Sequence, residues 1–275
     1  MTSTLEYAFD DWCIAQVALK LRKKSDYQYF LNRSNNFKNL FHEASGFFRA
    51  KDTAGNWVKN FNPYSSDFPG ASPYTEGNAW QHNWFVPHAV NEHIAMMGGR
   101  LSYINKLDSL FSIESIKTEN APSDISGLLG QYAHGNEPSH HIAYLYTLAG
   151  SANKAADKLR RIMQTFYTTT PEGLSGNEDC GQMSAWYVFS ALGFYPLNPA
   201  SGEYIFGSPL IDKAVITLPG NQTFTILVNN NSADNKYIHS KKLNGKIYKK
   251  HSLFHSDILK GGVLEITMSA QYETP

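Results

Sequence analysis

Gly181-Gln-Met-Ser-Ala-Trp-Tyr-Val-Phe-Ser-Ala-Leu-Gly-Phe-Tyr-Pro196 is where the chain changes character. Ala185, Val188, Phe189 and Leu192 recur at helical spacing, and the run stops at Gly193, a residue suited to a helix C-terminus. Upstream, the same period keeps returning. Downstream, from about Ser201, apolar residues alternate instead.

Working upstream, Ala152, Ala155, Leu159, Ile162 and Phe166 form one stripe, and Ile142, Leu145, Tyr146 and Ala149 another. Ile104, Leu107 and Phe111 follow a stop at Gly98-Gly99, which itself ends the stripe Val86, Val90, Ile94 and Met97. Ser25-x-x-Gln28 reads as a capping box opening a helix to about His42. Ser3-x-x-Glu6 reads the same way before Leu5, Ala8, Phe9 and Trp12. About seven helices result, joined by loops of unequal length. The two long ones, 44–78 and 113–138, are rich in Gly, Pro, Asn and aromatic residues, the composition of functional rather than disordered loops.

Working downstream, Ala214–Leu218, Phe224–Asn229 and Val263–Met268 read as strands, with turns at Asn244-Gly245 and Gly261-Gly262. The expectation is a mainly α region over 1–200, followed over 201–275 by a small antiparallel β unit of five or six strands.

The chain has 275 residues, with 24 basic and 24 acidic side chains and no Lys/Arg cluster. That argues against nucleic acid and anionic membrane surfaces as partners. No apolar run is long enough to span a membrane. Cys13 and Cys180 lie far apart and read as free thiols rather than a disulfide or a metal pair. The first residues lack the basic region and apolar core of a signal peptide, so either the protein is cytoplasmic or its natural N-terminus lies elsewhere.

Three polar clusters fall at loop-to-helix junctions: Tyr74–His88, His134–His141 and Gly176–Trp186. Each sets a carboxylate among Gly, Asn, Gln and Trp, a mixture suited to hydroxyl groups and hard cations. Each also has a plainer reading. Asp179 with Gln182 three residues on matches a capping box, Glu137 before Pro138 shapes a turn, and Trp80 and Trp84 suit a core. Paired carboxylates are what glycoside hydrolysis requires, and the same Asn/Glu/Asp set suits a structural calcium site. A zinc site from His134, His140 and His141 is a weaker alternative, since the spacing is not H-E-x-x-H.

At these residues the sequence resembles the bacterial α-mannosidases of glycoside hydrolase family 92. The resemblance runs through Thr4–Gln16, Arg33-Ser34, Gly46-Phe-Phe-Arg49, Tyr74-Thr-Glu-Gly-Asn-Ala-Trp80, Trp84-Phe-Val-Pro-His88, Gly135-Asn-Glu-Pro138, Gly181–Pro196 and Gly207-Ser-Pro209, in the family's order. It implies a partial (α/α)₆ barrel, with about seven of twelve helices present. A missing N-terminal domain or a second chain would complete it. It also implies an exo-acting α-mannosidase, cutting α-1,2 linkages in N-glycans or yeast mannan by inversion, with calcium as cofactor. Glu76 would be the general acid and Asp179 the general base. Asn136, Glu137 and Asp179 would hold calcium. Asn78, Trp80, His134, Asn136, Glu137 and Asn177 would contact the sugar. Some members carry Asp where this chain has Asn177. The family's export implies a periplasmic or extracellular location. The rival reading is an inactive or carbohydrate-binding fragment derived from such an enzyme.

Overall fold

The computed structural model describes residues 1–66 and 72–272, so part of the 44–78 loop lies outside the described residues. The chain divides into two compact units, Met1–His140 and His141–Pro275.

The first unit opens with α1 (Thr2–Lys20) and α2 (Lys24–Arg33), which pack together. A 3₁₀ turn at Asn36–Leu40 leads into the hairpin β1 (Phe41–His42) and β2 (Phe47–Phe48). Then come the single turn α3 (Ala79–His82), α4 (Val90–Met96), α5 (Arg100–Ser112) and the hairpin β3 (Leu128–Leu129) and β4 (Tyr132–Ala133). Leu5 and Ala8 of α1 bury against Phe37, Leu40, Phe41, Phe48 and Val86. Through Phe48 this cluster ties β2 to the helices by apolar burial.

Neither expected capping box forms here. α1 is capped from Met1 and α2 from Lys23, without a side-chain bond in either case. The second helix also ends at Arg33 rather than near His42, because Leu40 and Phe41 turn inward as a 3₁₀ turn and a strand.

The second unit begins with α6 (Ile142–Leu148), α7 (Ala152–Phe166) and α8 (Gln182–Leu192). Gly193 closes α8 at φ 96°, and a Cβ there would come within 2.9 Å of Pro209. Both the left-handed backbone and the close approach require glycine. The strands follow as β5 (Phe194–Asn198), β6 (Glu203–Phe206), β7 (Lys213–Thr217), β8 (Thr223–Asn229), β9 (Tyr237–Leu243), β10 (Lys246–Ile247) and β11 (Ser252–Phe254). A single turn α9 (His255–Ile258) precedes β12 (Gly262–Ser269). One sheet runs β11-β6-β5 and the other β10-β9-β12-β8-β7. Phe224, Ile226 and Val228 of β8 and Leu264, Ile266 and Met268 of β12 alternate into a shared core.

The expectation of an antiparallel unit needs correction. β12 enters between β8 and β9, antiparallel to β9 but parallel to β8, so the five-stranded sheet is mixed. Its centre is supplied by the last strand, whose apolar alternation buries one face. Among the described residues, seven helices have seven residues or more, as the periodicity predicts.

Candidate active site

Glu76 sits in the turn before α3. Asn78 is the N-cap of that helix, and its side-chain oxygen accepts from the N–H groups of Trp80 (2.9 Å) and Gln81 (3.3 Å). Gln81 returns the bond, accepting the Asn78 N–H at 2.7 Å, which completes a capping box. Behind it lies Gln131, fully buried on β3–β4. It accepts from the Asn78 amide at 2.9 Å and donates to the carbonyls of Glu114 (3.0 Å) and Ile116 (2.9 Å). Its own carbonyl accepts from the Gln81 side chain at 2.8 Å.

From the other side, His82 bonds the Thr75 carbonyl at 2.7 Å. A carbonyl only accepts, so Nε2 carries the proton. Desolvation lowers the His82 pKa to about 4, which keeps the ring neutral near pH 7. Gly77 lets the ring in, since a Cβ there would stand 2.8 Å from Nε2.

Held this way, Glu76 itself lies exposed at φ 52°, in the left-handed region that non-glycine residues seldom occupy. Asn136 also grips the turn, its amide donating to the Glu76 carbonyl at 3.1 Å. Glu6 is a neighbour that the sequence did not single out. Burial first, then the negative charges of Asp10 and Glu76, push its carboxyl above the usual range.

The loop before α8 repeats the device with other residues. Asp179, Cys180 and Gly181 all have positive φ, at 48°, 56° and 94°. The N-cap is Gly181, so the capping box of Asp179 with Gln182 does not form. The preceding acid does the capping instead: the Glu178 carboxylate accepts the Ser184 N–H at 3.0 Å and its hydroxyl at 2.9 Å. Asn177 and Asp179 lie exposed beside it. Among the described residues, no hydrogen bond reaches the carboxylate of either Glu76 or Asp179.

The other expected site residues are placed as follows. Asn78 is buried in the capping box. Trp80 is buried edge-on to Phe47 at 4.8 Å, with the Lys106 ammonium 4.4 Å from its ring. His134 is buried and shares a 2.8 Å hydrogen bond with the Tyr132 hydroxyl, while its carbonyl meets His140 at 3.0 Å. Burial and the charge of His140 lower the His134 pKa well below its ordinary value. These bonds engage His134 Nδ1 and His140 Nε2 in holding the loop. Asn136 is buried, and Glu137 is exposed at the start of a 3₁₀ turn. The Asn136 side-chain oxygen and the Glu137 carboxylate are hard donors of the type calcium takes, but two oxygens make only part of its usual six to eight. Among the described residues no cluster of three His, Cys, Asp or Glu side chains is arranged for a metal.

The model of the glycosyl hydrolase family 92 catalytic domain matches residues 1–270. The chain belongs to glycosyl hydrolase family 92. A family 92 α-mannosidase from Bacteroides thetaiotaomicron, solved with mannoimidazole, is 40% identical with a TM-score of 0.93. The alignment covers 98% of this chain and 36% of that one. A family 92 inverting mannosidase from the same bacterium is 36% identical over 98% of this chain and 37% of its own, with a TM-score of 0.86. An uncharacterized secreted glycosidase of Arthroderma benhamiae is 28% identical over 98% of this chain and 36% of its length. The chain therefore spans little more than a third of these relatives.

Proposed function

We propose that this chain carries the acid and base of an exo-acting α-mannosidase that removes terminal α-1,2-linked mannose by inversion. The observation that carries the reading is the matched pair of loops. In each, a neighbouring residue caps the helix, and a carboxylate on a left-handed residue is left without a structural partner. A left-handed non-glycine residue costs on the order of 1–3 kcal/mol, and such strain gathers at functional sites. Two family 92 relatives of known structure are described as mannosidases, one of them inverting.

In this reading Glu76 holds a proton at its carboxyl and delivers it to the leaving glycosidic oxygen. Asp179 stays ionised and takes a proton from the attacking water, with Asn177 orienting that water. Inversion needs the two carboxyl groups about 6.5–9.5 Å apart, which leaves room for the water. Asn136, Glu137 and Asp179 would contribute oxygens to calcium, which when bound supplies positive charge at the sugar hydroxyls. The remaining ligands and the rest of an (α/α)₆ barrel would come from polypeptide corresponding to the relatives' other two-thirds. By analogy with the fungal relative, the working location is outside the cytoplasm.

The test is mannose release from α-1,2-mannobiose with calcium and with excess chelator, followed by NMR of the new anomeric centre. Calcium-dependent release of β-mannose supports the proposal. Release of α-mannose, or release unaffected by chelator, overturns it.

A further inference from the structure

The second unit contains a cleft of about 520 Å³ that holds none of the residues assigned above to acid, base or calcium. It lies between the α6–α7 junction, at Thr147–Ala156, and a wall made by β9 and residues 247–251. Its size falls within the range of small-molecule sites, about 300–1,000 Å³.

The charges in this cleft are one-sided. Lys241, Lys249, His239 and His251 line it, and among the described residues no Asp or Glu does. Lys241 is the informative member. It comes from β9, is half-buried, and its ammonium stands 5.0 Å from the centre of the Phe206 ring in the same cleft. Among the described residues it makes no ion pair or hydrogen bond. Desolvation lowers its pKa, as expected for a cation without a nearby anion. A carboxylate at the rim, Asp157, is already engaged by Lys236 at 2.7 Å and the Tyr237 hydroxyl at 2.9 Å. Burying a cation without an anion is costly, and an aromatic face offsets only part of it.

The wall around this cation is aromatic. Tyr237, Tyr248 and Tyr272 line the cleft. The hydroxyls of Tyr237 and Tyr248 are already committed, to Asp157 and to the Ser252 carbonyl at 2.9 Å, so what these two add to the lining is chiefly aromatic surface. The strand itself is irregular at this point. Thr267 pairs with Ser240 and Met268 with Ile238, which makes His239 the extra residue of a β-bulge. Bulges commonly sit where a strand must re-aim side chains toward a site.

We propose that this cleft binds an acidic sugar, a pyranose bearing a phosphate, sulfate or carboxylate group. Its anion sits at Lys241 and Lys249, and its ring lies against the tyrosines. A neutral hexose is disfavoured, because no carboxylate among the described lining residues is placed to grip sugar hydroxyls. Inorganic phosphate alone forgoes the ring contacts.

The test is calorimetric titration of the 275-residue chain at low salt with glucose 6-phosphate, glucose 6-sulfate and glucuronate, against glucose and inorganic phosphate. The expected result is that at least one acidic sugar binds about tenfold more tightly than both controls, and which one identifies the anion. Lys241→Met weakens that binding about tenfold or more, while raising the thermal midpoint of the free protein because an uncompensated buried charge is gone. Lys249→Gln weakens it less. The proposal fails if no acidic sugar saturates the chain below about 5 mM. It also fails if glucose or phosphate binds as well, or if Lys241→Met leaves the affinity unchanged.

Discussion

The loop carrying Glu76 and the loop carrying Asp179 present a carboxylate in the same backbone conformation by different means. Glu76 rests on a buried frame, in which Asn78, Gln81 and Gln131 exchange hydrogen bonds and neutral His82 props the turn from below. Asp179 rests on an exposed one, in which Glu178 ties to Ser184 at the start of α8. A buried polar network is costly to disturb, because each orphaned group loses both partner and water. An exposed cap is cheap to disturb, because water replaces it. The proposed acid is thereby held rigidly, and the proposed base more loosely.

The comparison can be broken or sharpened in descending order of effect. Replacing either carboxylate, Glu76→Gln or Asp179→Asn, should lower kcat on mannobiose by about 10²–10⁴-fold with little change in the unfolding midpoint. Steady-state kinetics beside a thermal melt checks both halves.

Gln131→Ala should destabilise the first unit by about 2–4 kcal/mol, since it strands the Asn78 amide and two carbonyls. Denaturant unfolding followed at the tryptophans reads this. An equally large loss for Glu178→Ala would erase the difference between the loops.

Acidification should act through the same frame. The folded His82 pKa of about 4 lies below the ordinary 6.5, so the unfolded chain binds more protons between those values. Stability is then fully present above about pH 6.5 and falls as pH drops toward 4, by on the order of 3 kcal/mol at the limit. His82→Gln should flatten that pH dependence, measured as urea midpoints from pH 7 to pH 4.

Gly193→Ala should cost about 1–3 kcal/mol, from left-handed strain and the approach to Pro209. Glu178→Ala should cost only about 1 kcal/mol in stability, yet lower activity by loosening Asp179.

Much of this architecture is readable in the sequence because it is periodic. The seven longer helices, the Gly193 stop and the Asn244-Gly245 turn between β9 and β10 all follow from local spacing and turn chemistry. The parallel pairing of β12 with β8 does not, because strand order is decided by which apolar faces share a core. Side-chain capping differs from the sequence expectation for a related reason. Ser3 and Ser25 fall inside helices that begin one residue earlier, so neither side chain is at the N-cap. Glu178-Asp179 is a pair of adjacent acids, and only the left-handed turn reveals that the first caps and the second is free. The motif around Glu76 includes Asn78 and Trp80, and the spacing does not reveal that both side chains are buried, Asn78 as the cap of α3. Gln131 carried no signal at all, lying between two two-residue strands that no periodicity marks.

The central claim is that Glu76 donates the proton and Asp179 activates the water. It is tested most directly by comparing α-1,2-mannobiose with an activated aryl α-mannoside, whose leaving group needs little protonation. The account predicts that Glu76→Gln loses far more activity on mannobiose than on the aryl substrate, while Asp179→Asn loses about equally on both. Equal losses for Glu76→Gln on the two substrates would contradict it.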